Sequence, residues 1–338
     1  MDVLSDVVAV IRSGTPRSAL VRRHAPWGQR FPAAVGSAGF QVVLQGSCRL
    51  FPPDGSAPVA LAAGDVVLFP HGHAYGLADS PATALAAPVC DPLDEADLHA
   101  SVSVGPPPRD APAVAPTVLL CGGYRLDPAQ AHPLLRDLPD VVHLPACLGR
   151  RPELRATVDL LAGELGAPRP GTDAVVPALL DTLLLYALRA WFDENPRRDK
   201  GSGWAAALAD PAVSTALHAI HGDPAHPWTV AVLAARAGLS RAAFSKRFAD
   251  TVGRPPAAYL TWWRLTTAAR LLRASDAPLS QVAALVGYTS PFAFANAFKR
   301  AFGTAPGRYR RHRGAPGEGS RADGSGGSLT ASEVSPGR

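Results

Sequence analysis

The chain has 338 residues, 47% hydrophobic and 18% charged, with 33 Lys and Arg against 28 Asp and Glu for a net charge of +5. That length accommodates two domains, and that balance belongs to a globular protein and excludes one too polar to bury a core. Cys48, Cys90, Cys121 and Cys147 are scattered without a CxxC pair, and with no export signal expected they are read as reduced thiols.

Residues 1–14 carry Asp2 and Asp6 and lack the basic flank and long apolar core of a signal peptide. No apolar run reaches the roughly 18 residues of a membrane span. A cytoplasmic location with no membrane partner is expected. Residues 20–126 are β-rich. Segments 41–44 and 47–51 flank Gly46, and segments 58–61 and 66–69 flank the turn at Gly64 and Asp65. Short strands punctuated by Gly and Pro predict an all-β barrel or sandwich. Residues 85–89 and 117–120 are candidates for later strands, and the Pro-rich piece 105–116 for a loop.

Gly64, Pro70 and Gly72, separated by five residues and by one, resemble the second conserved motif of the cupin superfamily. Pro26, Trp27 and Gly28, with Gly64 and Asp65 and the run His132 to Leu135 followed by Leu138 and Pro139, resemble the sensor half of cupin-bearing AraC-type regulators. In metal-binding cupins a His follows the motif as a ligand, and Tyr75 sits there in this sequence. The first cupin motif is not recognisable around Phe40 and Gln41. A metal-dependent cupin needs about three or four converging ligands. Without them the barrel reads as a non-catalytic sensor, and no cofactor is expected. The candidate sensor residues are His71, His73, Tyr75, Cys90 and Cys121. His71 and His73 share a face in extended structure. With Cys90 or Cys121 they offer ligands to a transition metal, or the thiols sense oxidants through a lowered pKa. A polar rim with ordinary buried thiols is the third reading, and all three stay open.

Residues 151–195 turn helical. Leu154, Val158, Leu161 and Leu165 form one apolar stripe, and Val176, Leu180, Leu183, Ala187 and Trp191 a second. Such helices either cover the barrel or form a subunit contact. The run from Asn195 to Gly203 is a polar, glycine-containing linker.

Residues 212–313 contain a doubled motif. Leu233, Ala234 and Gly238 return as Val282, Ala283 and Gly287. Phe244, Phe248, Gly253, Pro256 and Tyr259 return as Phe294, Phe298, Gly303, Pro306 and Tyr309. Each copy has the grammar of a helix-turn-helix. A short apolar helix ends at a glycine, and a hydroxyl residue, Ser240 or Ser290, caps the next helix. The paired Phe lie four apart on one face, which is core. The opposite face offers Arg241, Ala242, Ser245 and Lys246 in the first copy. In the second it offers Pro291, Phe292, Ala295, Asn296, Lys299 and Arg300. This ordered pair resembles the DNA-binding domain of the AraC/XylS family. The resemblance implies that 241–250 and 290–300 are recognition helices. Residues 256–274 carry two apolar faces and predict a linking helix of about 28 Å at about 1.5 Å per residue. That suits readers in successive major grooves about 34 Å apart. Trp262 and Trp263 are read as packing residues. Residues 212–313 hold 14 Lys and Arg against three Asp and no Glu, a net of +11, so the rest of the chain carries −6. A basic module on an acidic body fits phosphate neutralisation.

The expected fold class is α+β and multidomain. An N-terminal cupin-like β-barrel sensor (1–148) is followed by a helical segment with a possible dimerisation role (149–194) and a linker (195–211). An all-α double helix-turn-helix domain (212–313) and a disordered tail (314–338) complete the chain. The expected function is that of an AraC/XylS-type regulator, not an enzyme, controlled by a small molecule or by a redox or metal signal. Its partners would be operator DNA, a small-molecule effector, RNA polymerase if it activates, and a second copy as a homodimer. Groove contacts are assigned to Arg241, Ser245, Lys246 and Asn296, with Ala242, Ser290 and Phe292 as further DNA-binding residues. Phosphate contacts are assigned to Arg254, Lys299, Arg300 and Arg308. The rival readings are a cupin-type metalloenzyme with an accessory helical domain and an architectural DNA-binding protein without ligand response.

Overall fold

The computed structural model describes residues 3–11, 16–87, 99–104, 115–126, 132–146, 150–195 and 203–311. Cys90, Cys147 and the tail expected at 314–338 lie outside them. After helix α1 (Val3–Ile11) come strands β1 (Arg17–Arg23), β2 (Gly28–Phe31), β3 (Ser37–Gln45), β4 (Ser47–Phe51), β5 (Val59–Ala62), β6 (Val66–Phe69) and β7 (Tyr75–Ala78). Strands β8 (His99–Val104), β9 (Thr117–Arg125) and β10 (Val142–Leu144) complete the sheets, with helix α2 (Pro133–Arg136) before β10. Helices α3 (Pro152–Gly166) and α4 (Thr172–Glu194) follow, then α5 (Gly203–Ala209) and α6 (Pro211–Gly222). The remaining helices are α7 (Val230–Arg236), α8 (Arg241–Val252), α9 (Pro256–Ala274), α10 (Leu279–Leu285), α11 (Pro291–Phe302) and α12 (Pro306–Arg311).

The closed β-barrel expected from the sequence does not form. The strands make two separate sheets, one of six strands in the order β10-β6-β3-β9-β1-β8 and one of four in the order β2-β7-β4-β5. No ladder joins them among the described residues. The larger sheet ends instead on β10, antiparallel to β6, and on β8, parallel to β1. Asp65 explains the first of these. Its carboxylate accepts from Ala62 N at 3.1 Å within the turn before β6, and from Ala146 N at 2.8 Å and His143 Nε2 at 3.0 Å. The turn thereby holds β10 along β6.

Successive side chains of a strand point to opposite faces, and β3 feeds two cores that way. Val43 packs between the sheets with Val67, Phe69, Leu119, Leu50, Leu61, Leu77, Phe31 and Trp27. Phe40 and Val42 face the helices, with Leu68, Leu120 and Tyr124. The apolar stripes of α3 and α4 are buried in that second core. The Tyr124 hydroxyl donates to Leu180 O at 2.5 Å, tying α4 to β9. Helix α4 is long and apolar enough to cross a membrane by length and composition. Its burial of Val176, Leu180, Leu184, Leu188 and Trp191 is that of a core helix.

Within the segment read as linker, 203–209 is the helix α5. Trp204 is buried there, and its backbone N–H donates to Asp137 Oδ2 at 2.9 Å. Helix α9 belongs to two cores. Tyr259, Leu260 and Trp263 join Leu233, Phe244, Phe248 and the sensor's helix-side core. Leu265, Ala268 and Leu272 join Val282, Val286, Phe294 and Phe298 in a separate one. The first reader lobe is therefore continuous with the sensor, and the second is carried at the far end of α9.

Candidate nucleic-acid interface

Each copy of the repeat folds as a short helix, a tight turn and a longer helix. In the first, Thr229 caps α7 by accepting from Val232 N at 3.2 Å, and Ser240 caps α8 by accepting from Ala243 N at 3.3 Å. In the second, Ser290 caps α11 by accepting from Ala293 N at 3.3 Å, with Pro291 at the first helical position. The turns rest on Gly238 at φ +69° and Gly287 at φ +78°, in the left-handed region that glycine enters without a Cβ penalty. Helices α8 and α11 have 12 residues each and end on left-handed glycines, Gly253 and Gly303.

Phe244 and Phe248 are fully buried, as are Phe294 and Phe298. That fixes the opposite faces outward. Arg241, Ala242 and Lys246 are exposed on α8 and Ser245 is half-buried. Phe292, Asn296, Lys299 and Arg300 are exposed on α11, as is Arg308 on α12. Two cations are engaged. Lys246 Nζ donates to Asp250 Oδ2 at 2.7 Å, and this bond raises its pKa. Arg247, which sequence reasoning passed over, pairs with Asp210, the residue capping α6. Arg254 stands apart from the groove-facing set. It is half-buried with its guanidinium 5.8 Å from the Trp262 ring centroid, and burial and the nearby Arg136 lower its pKa. Helix α9, with 19 residues, is the spacer between the lobes. Arg264 on α9 donates to Pro224 O at 2.8 Å and His226 O at 2.7 Å, fixing the loop before α7.

The Cupin family profile matches residues 2–193, and a helix-turn-helix domain profile matches 233–312. An AraC-like transcription regulator of Streptomyces lividans is 35% identical over 312 residues, covering 92% of this chain and 99% of that protein. The HTH-type transcriptional regulator AlkR of Acinetobacter baylyi is 30% identical over 316 residues, with the same coverage of 92% and 99%. Among solved structures, the DNA-binding domain of AdpA in complex with a target DNA is 35% identical, covering 31% of this chain and 94% of that one at a TM-score of 0.29. The chain belongs to the AraC/XylS family of transcription regulators. It is a DNA-binding transcription regulator with a cupin N-terminal domain.

The regulator's sensor candidates do not converge on a metal. Among the described residues no group of three or more His, Cys, Asp and Glu side chains could hold one. His71 Nε2 meets Leu138 O at 2.9 Å, and His73 pairs with Asp140 at 3.2 Å. Cys121 is buried and its thiol donates to Ala19 O at 3.4 Å. Tyr75 lies between the sheets, stacked against Phe69 at 3.7 Å and Phe31 at 4.7 Å between ring centroids. Its hydroxyl accepts from Gln41 Nε2 at 2.9 Å, and burial pushes its pKa far up, so the phenol stays neutral. Sequence reasoning missed the polar atoms around it. Gln29 is 1% exposed and neither side-chain polar atom has a partner, and Gln41 Oε1 and Trp27 Nε1 are also unpartnered. A pocket of about 130 Å³ is lined by Phe31, Gly39, Phe69, His73, Tyr75 and Gly123, among others, and Tyr75 connects it to Gln41. The available signal was a glutamine on the inward face of an otherwise apolar strand.

Four buried groups join sensor to reader. Leu134 N donates to His132 Nδ1 at 3.1 Å, which assigns the proton of a neutral ring to Nε2. That N–H faces Tyr259 Oη at 3.4 Å. The Tyr259 hydroxyl donates to His221 Nε2 at 2.8 Å, and His221 Nδ1 then donates to Asp6 Oδ2 at 3.2 Å. Burial pushes both histidines below their usual pKa. The neighbouring His221 and Arg254 add to the shift at His132, whereas Asp6 opposes it at His221. Burial likewise holds Tyr259 well above the usual phenol range. The chain of donors spans α2, α9, α6 and α1.

Proposed function

We propose that the regulator answers to a small, uncharged, polar effector held between the two sheets of its N-terminal domain. The observation that carries this is the set of unpartnered polar atoms on Gln29, Gln41 and Trp27 in a buried space. A buried amide without partners costs about 1–3 kcal/mol, so several together favour a ligand that supplies donors and acceptors. Redox control through Cys121 and metal control through His71 and His73 gain no support from their partners described above. The test is thermal-shift screening of the full chain with neutral amides and polyols. A saturable stabilisation that Gln41→Leu abolishes is expected. If every stabilising compound acted equally on Gln41→Leu, the effector site would lie elsewhere.

On the DNA side we assign base-edge contacts to Arg241, Ser245, Lys246 and Asn296, flanked by Ala242, Ser290 and Phe292. Phosphate contacts are assigned to Lys299, Arg300 and Arg308. Exposure of all but the half-buried Ser245 and Ser290 supports this set. Lys246→Ala is expected to weaken binding to a cognate site, by about 1–3 kcal/mol if the ammonium leaves Asp250 for a base. Equal affinity of the two proteins in a gel-shift titration would remove Lys246 from the set.

A further inference from the structure

Phe292 is 76% exposed, one of the large apolar side chains that the fold leaves in solvent. Its helix has no need of it for packing, since Phe294, Ala297 and Phe298 fill the core side. Asn296 lies one turn further along the same face, exposed, with Ala295 half-buried beside it and Lys299 following. Helix α11 contains no Asp or Glu, so nothing on this face repels a polyanion. An aromatic ring, a carboxamide and an ammonium thus stand in a row on a basic helix.

The major groove offers one apolar group on base edges, the C5-methyl of thymine, and it offers adenine as the base whose N6 and N7 match a carboxamide in two hydrogen bonds. We propose that Phe292 is a specificity-determining residue that packs on a thymine methyl, while Asn296 pairs with a nearby adenine. Helix α11 then selects A·T pairs. This rests on the assignment of α11 as a groove reader and adds what it reads. The ring, covering a methyl otherwise in water, gains roughly what the burial of one CH₂-sized group gives, which corresponds to about three- to tenfold in affinity.

The test begins with selection of binding sites from a random duplex pool by the full chain. Each thymine of the selected duplex is then replaced by deoxyuridine, which removes the methyl and leaves the hydrogen-bonding edge unchanged. At one or two positions the wild-type protein is expected to lose about three- to tenfold in affinity. Phe292→Ala, a change at an exposed position, is expected to bind thymine and uracil duplexes equally. It should still select the bases read by α8. Uracil at every position binding the wild type as thymine does would overturn the proposal, as would a Phe292→Ala protein that keeps the full uracil penalty. A pool with no enriched sequence would overturn the groove-reader assignment and the proposal with it.

Discussion

Tyr259 shows how much a single hydroxyl can hold. It donates to His221 Nε2 and receives the N–H of His132, so each histidine keeps one tautomer and Asp6 keeps its donor. Tyr259→Phe preserves the ring packing against Phe248 and Trp262 while leaving two buried ring nitrogens unpartnered. We expect it to destabilise the protein by about 1–3 kcal/mol in chemical denaturation, and a change within error would show the bonds to be dispensable. The same pair sets a pH dependence. The groups facing them are Asp6, His218 and Tyr259 around His221, and His221, Arg254 and Tyr259 around His132. Both histidines have folded-state pKa values lowered chiefly by burial, so the unfolded chain binds more protons once the pH drops below about 6.5. Stability is therefore full above about 6.5 and falls as the solution is acidified towards the folded-state values. Melting temperature measured from pH 8 to pH 5 should decline below neutrality, and replacing His221 by Gln should flatten part of that decline.

At the scale of elements, the two copies look alike but their turns tolerate different changes. A Cβ on Gly238 would meet nothing within 4 Å, so Gly238→Ala bears the left-handed backbone cost of about 1–2 kcal/mol. A Cβ on Gly287 would lie 2.7 Å from Arg264 Nη2 and 2.9 Å from Ala225 O, and Arg264 is pinned by two carbonyls. Gly287→Ala should destabilise more than Gly238→Ala and disturb the contact between the lobes. Equal midpoints in urea would contradict this. Such helices were legible in the sequence because their signals are local: Ser240 and Ser290 as caps, the glycine turns, and Phe at i and i+4. The arrangement of the sheets was not. The pairing of β10 with β6 is supported by Asp65 bonding to Ala146, a partner 81 positions away. Gln29 and Gln41 were missed for a related reason. Which face of a strand turns inward is a matter of register, and register is set by distant neighbours. The charge of Arg254 is visible in sequence, whereas its seat against Trp262 is not.

For the whole molecule, the charge asymmetry and the shared core lead to one testable picture. The reader carries +11 and the remainder −6, so the full chain approaches DNA basic face first. Each phosphate neutralised releases counterions, and log K falls with log salt by about 0.9 per contact. Lys299→Ala with Arg300→Ala removes two exposed cations from α11 and should shallow that slope by about 1.8, with similar affinity losses on cognate and random duplexes. Arg254→Ala is the contrasting case. Its guanidinium lies on Trp262 beside the sensor's Arg136, so the salt slope should stay as in the wild type, while any change should appear in stability or in effector response. A slope shallowed as much by Arg254→Ala as by a substitution of Lys299 would mean that the side chain swings out to a phosphate. The cation–π contact that now holds Arg254 on Trp262 would then have to open on DNA.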